Sequence, residues 1–200
     1  NLKRDRYDQY DDSLLEYDLR FNMYIVTCTL ISFYKNSDKT KRIGDTFLYS
    51  ATGTVSDIQR TAKVLEAELR LKELRSKCQP TVKQAASLLA MMVYGNIRKY
   101  SAIPAMVGIL FGGVNEDGAT ELYTIEPAGS IIKVDDYDAN FGSGMPYVLG
   151  LLERQYKKGM TVKEGAELAK EAILSSTQRD TGSGFGIDIL SYQKKIKEPL

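Results

Sequence analysis

The sequence predicts an α+β fold, on three observations. Three segments open with a hydroxyl residue followed three positions later by Glu or Gln, the reciprocal capping pattern of a helix start: Ser56 with Gln59, Thr81 with Gln84, and Thr161 with Glu164. Between the second and the third, the helical period gives way to a continuous apolar run and two shorter strand-like segments set apart by turn compositions. Beyond residue 45 the order reads strand, two helices, three strands, two helices, strand. Helix pairs segregated from a mostly antiparallel sheet pack as helical layers outside sheets.

Each element has its own warrant. After Ser56, apolar Ile58, Ala62, Leu65 and Leu69 recur every three or four residues, with Glu66, Glu68, Arg70 and Lys72 on other faces, which predicts a surface helix ending near Arg75. Pro80 precedes the second helix, where Ala85, Ala86, Leu88, Leu89, Met91 and Met92 form a broad apolar surface that demands deeper burial before Gly95. Ala105 to Phe111 reads as a buried central strand closed by Gly112 and Gly113. Asn115 to Gly118 is a turn, and Glu121 to Ile125 and Ser130 to Val134 continue an antiparallel meander across Pro127 to Gly129. Gly142-Ser143-Gly144 introduces a third helix, Tyr147 to Tyr156, closed by Gly159. The helix from Thr161 presents Val162, Ala166, Ala169, Ala172 and Ile173 on one face, and Ile187 to Tyr192 has the composition of a last strand. The first 45 residues differ, with Tyr and Asp dominating Asp5 to Asp18 and alternation first emerging between Met23 and Tyr34.

Composition removes several chemistries. The 200 residues include no histidine and two cysteines, which excludes a Ser-His-Asp triad, a Cys-His pair, histidine-containing zinc sites and a four-thiolate site. A hydrolase built from this chain must activate its nucleophile with Lys, an α-amine or a carboxylate. A net charge of +1 argues against a nucleic-acid or membrane-surface binder, and no stretch has the uninterrupted apolar length of a membrane span. Cys28 and Cys78 suggest no disulfide framework, so a reducing cytoplasm is expected, and the polar start from Asn1 to Asp12 is not a signal-peptide pattern.

Residues Arg179 to Asp188, RDTGSGFGID, carry the densest functional signal: an acid, two small hydroxyls and three glycines directly after an amphipathic helix. Glycines on both sides of Ser183 allow close approach of a bound group, and leave Asp180 and Ser183 free to bond elsewhere. The bland alternative is a glycine-rich helix-to-strand loop in which both side chains serve the backbone.

In order along the chain, Ser50-Ala51-Thr52-Gly53 before Asp57-Ile58-Gln59, Phe111-Gly112-Gly113, Glu126-Pro127-Ala128-Gly129, Gly142-Ser143-Gly144, and Arg179-Asp180 with Ser183-Gly184 resemble β-type subunits of the 20S proteasome, most closely the archaeal type. The resemblance covers roughly residues 39 to 192 of a single domain and leaves residues 1 to 38 divergent. It implies a four-layer αββα sandwich of the N-terminal nucleophile hydrolase class. It also implies heptameric β rings stacked between rings of α-type subunits, unfolded protein as substrate, and neither metal nor organic cofactor. Its nucleophile is a threonine exposed by autolysis after a Gly, with its own α-amine as proton acceptor, a mechanism that needs no histidine. Carried over by position, Asp180 and Ser183 fit the acid and serine of the last loop. Lys39 fits the catalytic lysine counted back without gaps from Gly53, and Gly53 the N–H that binds the oxyanion.

The chain departs from that pattern at two places. Met145 stands where a serine follows Gly-Ser-Gly, which removes one hydroxyl from the expected network. Counting back from Gly53 lands on Tyr7, whereas the best local match to the first strand, Thr27-Cys28-Thr29-Leu30, follows Val26 rather than Gly and lies only 12 positions before Lys39. Three readings follow: a ring subunit without its own active site, a threonine protease processed at Thr27, or a genuine β-subunit body joined to an altered N-terminal third. A fourth is an α+β binding domain that shares only the architecture.

Overall fold

The computed structural model describes residues 23–29, 39–139, 141–183 and 186–192. The Tyr- and Asp-rich stretch from Asp5 to Asp18, Asp38, and Gly184 with Phe185 of the glycine-rich loop lie outside the described residues. Eleven elements follow one another: β1 (Met23–Thr29), β2 (Thr40–Ile43), β3 (Phe47–Gly53), α1 (Val55–Ser76), α2 (Val82–Ile97), β4 (Val107–Val114), β5 (Thr120–Ile125), β6 (Ile131–Val134), α3 (Met145–Gln155), α4 (Val162–Thr177) and β7 (Gly186–Tyr192).

Strands β2 to β6 form one sheet in sequential order, antiparallel throughout. Strands β3 and β4 pair although two helices separate them, because two antiparallel helices return the chain to the end of the sheet it left. Gly53 therefore faces Val107 across the first rung. β1 and β7 form a second, two-stranded antiparallel sheet. Helices α1 and α2 cover one face of the large sheet, β1 crosses its other face, and α4, packed on α3, backs β1 and β7. The layers thus run αββα, as expected.

Strand alternation assigns the two faces of the large sheet. Tyr49, Ala51, Ile109 and Phe111 point into the main core with Leu65 and Leu89 of the helices. Leu48 and Leu110 point the other way, toward Leu122 and Leu190. Burial pushes the Tyr49 phenol up, and its hydroxyl donates to the Ile58 carbonyl at 3.4 Å.

Two of the three capping boxes form as the sequence predicts. The Thr81 and Thr161 hydroxyls accept from the N–H groups of Gln84 and Glu164, whose side chains accept in return from the N–H groups of Thr81 and Thr161. The third does not form. α1 begins at Val55 with Thr54 as its cap, so Ser56 lies inside the first turn. β3 runs to Gly53, leaving one residue between strand and helix, and the Thr54 carbonyl takes the N–H groups of Asp57 and Ile58 instead. The expected end of the central strand at Gly112-Gly113 is also corrected, because β4 continues to Val114. A Cβ at Gly113 would lie 2.6 Å from the Thr46 carbonyl oxygen and 2.7 Å from Phe47 Cδ1, so this glycine marks a close approach inside a strand rather than its end.

Candidate functional site

Helix α4 delivers the acidic loop. At its C-terminal end the Ser176 carbonyl accepts the N–H groups of Arg179 and Asp180 at 3.2 and 2.8 Å, turning the chain so that the Asp180 side chain faces Gly142-Ser143-Gly144. Asp180 Oδ1 accepts the Gly182 N–H at 3.1 Å. Oδ2 accepts two hydroxyls, Ser183 at 2.6 Å and Ser143 at 2.7 Å. The Ser183 hydroxyl, then that of Ser143, with a smaller contribution from the Gly182 N–H, hold the carboxyl below its usual range against a partial desolvation that acts upward.

The glycines around this cluster are explained by the side chains they admit. A Cβ at Gly182 would stand 2.5 Å from Ser143 Oγ, and one at Gly144 would stand 2.7 Å from Ser183 Oγ and 3.0 Å from Ser176 Cβ. The turn before α3 and the loop after α4 therefore interlock through two backbones without side chains. Ser143 gives Asp180 its second hydroxyl donor, and Met145 begins α3. The signal was present in the sequence, since Ser143 is the central residue of a quoted motif, but a motif read as a helix start does not reveal which hydroxyl reaches the acid.

A cavity of about 480 Å³ opens beside the cluster. Lys39, Thr52, Ser143 and Ser183 are among its polar lining residues, and Leu152 and Leu168 among the apolar ones. Lys39 is fixed just before β2, its carbonyl accepting the Ala51 N–H at 3.0 Å. Among the sequence candidates, Lys39 and Ser183 thus border one space, and Asp180 stands behind it, bonded to the lining hydroxyls of Ser143 and Ser183. Gly53 ends β3 at φ 138°, where a Cβ would lie 2.1 Å from the Met106 carbonyl oxygen, so the backbone there admits only glycine. Thr27 is the fifth residue of β1, opposite Asp188 of β7.

The arrangement suits a cationic or N–H-bearing group. Ser143 and Ser183 spend their protons on Asp180, so their oxygens remain as acceptors next to a fixed negative charge. Among the described residues no three of Cys, Asp or Glu are grouped to hold a metal ion.

Comparison with known proteins agrees with this geometry. The family described as proteasome subunit matches residues 26–191. A proteasome subunit beta of Nanoarchaeum equitans is 37% identical over 166 residues, covering 83% of this chain and 82% of that protein. Proteasome subunit beta 2 of Thermofilum pendens is 36% identical over 160 residues, covering 80% and 75% respectively. Proteasome subunit beta of Ferroglobus placidus is 36% identical over 161 residues, covering 80% and 74%. The layered sandwich, the interlocked loops and these likenesses lead to one assignment: the chain belongs to the proteasome subunit family, among the β-type subunits of archaeal kind.

Proposed function

We propose that this chain is a ring member of a 20S proteasome core that contributes to ATP-dependent degradation of unfolded proteins without supplying a nucleophile of its own. Its partners are α-type subunits and further β-type subunits in heptameric rings, in the cytoplasm. The observation that carries this reading is the setting of Thr27. Val26 precedes it, and the strand before it is already paired from Met23 opposite Tyr192 to Val26 opposite Ile189. Releasing an α-amine at Thr27 requires cutting a strand in the middle of its ladder.

A second reading, threonine-type endopeptidase activity from a processed Thr27, is favoured by the cluster at the cavity. Asp180, Ser183, Ser143 and Lys39 could orient an N-terminal threonine, with the Gly53 N–H serving the oxyanion. One experiment separates the two. The full chain is assembled with archaeal-type α subunits, the particle is isolated, and the chain's intact mass is measured before and after a covalent threonine-directed reagent. A full-length, unlabelled chain inside the particle is the expected result. A mass starting at Thr27 that gains the label would replace it with the active-subunit reading, and failure to enter any particle would overturn ring membership.

A further inference from the structure

The turn that carries Ser143 rests on one rung of the large sheet. Thr52 of β3 and Gly108 of β4 are register partners, and both lie on the face that carries Leu48 and Leu110, the side of the cavity. The Phe141 ring covers Gly108 so closely that a Cβ there would stand 2.3 Å from Cδ2, 2.9 Å from Cγ and 3.0 Å from Cβ of the phenylalanine. The ring occupies the volume that any other residue at position 108 would fill with its own side chain. The next residue, Gly142, meets the same rung, its Cβ position lying 3.8 Å from Thr52 Cγ2, an ordinary contact. Ser143 follows, with its hydroxyl 2.7 Å from Asp180 Oδ2. On the far side the turn is held by α3, through the Met145 N–H on the Gly142 carbonyl and the Tyr147 and Val148 N–H groups on Gly144.

We propose that Phe141 is a positioning residue: seated on the Thr52–Gly108 rung, its ring fixes the height of the turn above the sheet and so sets the reach of Ser143 to Asp180. The seat is built from both partners, a strand glycine with no side chain and an aromatic ring that uses the space. The contact couples the large sheet to a cluster whose other members all come from the α3 and α4 side. This inference rests on the reading of Asp180, Ser143 and Ser183 as one hydrogen-bonded cluster, and it is independent of whether the chain is catalytic.

The test follows the Asp180 carboxyl carbon by NMR in the full chain labelled with ¹³C-aspartate, its resonance identified by its absence in D180N. S143A removes a donor to the carboxylate, so the Asp180 titration midpoint moves up. F141A is expected to move it the same way, and F141A/S143A to add nothing beyond S143A, because the ring acts through that serine. F141Y retains the ring and keeps the wild-type midpoint. G108A, whose methyl takes the place of the ring, reaches the same endpoint as F141A by a different route and serves if F141A does not fold. If S143A moves the midpoint while F141A and G108A leave it in place, or if F141A shifts it further in the S143A background, the positioning role is overturned and the cluster stands. If S143A itself has no effect, the cluster reading falls, and the role of Phe141 with it.

Discussion

Asp180 keeps its charge by accepting three hydrogen bonds, and that arrangement has a sign in pH. Its carboxyl ionises below the ordinary aspartate range in the folded chain, so its contribution to stability is fully present above about pH 4 and is lost as the pH falls through the lower folded value. Amide protection of residues 181 to 183, followed by hydrogen exchange and corrected for intrinsic rates, is expected to decline on acidification over that window. In D180N the same amides should be less protected at neutral pH and should lose that acid response; an unchanged profile would mean that the carboxylate does not hold the loop. At this scale the acid and Ser183 were legible in the sequence because a helix followed by acid, hydroxyls and glycines is a local pattern. Ser143 was not, because its bond to Asp180 spans 37 positions and depends on a missing Cβ at Gly182.

Helix starts show the same division between local and distant causes. The Thr81 and Thr161 boxes close within four residues, so the sequence alone specifies them. The expected box at Ser56 satisfied the same spacing, yet lost to the length of β3, which brings the chain into helical geometry at Val55. Three substitutions separate these cases by denaturant unfolding. T81A and T161A should each cost about 1 kcal/mol, the usual loss of a bonded N-cap hydroxyl. S56A should stay within about 0.5 kcal/mol, as for a substitution inside a first turn that caps nothing. A cost at Ser56 comparable to the other two would restore it as the cap. Strand ends were less legible for a related reason: glycines at 112 and 113 mark termination by composition, whereas the close approach of Thr46 and Phe47, which comes from the neighbouring strand, keeps β4 paired through them.

Across the whole molecule the four layers are unevenly supported, and the imbalance predicts an order of opening. The layer pair of α1, α2 and the five-stranded sheet shares one continuous core in which Leu65, Leu89, Ile109 and Phe111 are fully buried. On the other side, the described core is smaller: Leu48 and Leu110 meet Leu122 and Leu190, while Leu152, Leu168 and Ala172 form a separate cluster between α3 and α4. The cavity of about 480 Å³ lies along that second side and is lined by Leu110, Leu122, Leu152 and Leu168, so part of the apolar surface of these clusters faces space. Local opening follows the density of buried apolar contacts, so native-state exchange on the isolated full chain should protect residues 85–93 and 107–114 up to the global unfolding free energy, with α3 and α4 exchanging through a lower-energy opening. The Asp180 loop should open with α4, since the Ser176 carbonyl that holds its backbone belongs to that helix. Burial of the same helices against neighbouring subunits would raise their protection selectively, so repeating the exchange in an assembled particle tests the ring reading as well. If all four helices exchange together in the isolated chain, the sandwich unfolds as one cooperative unit and the cavity costs it no independent stability.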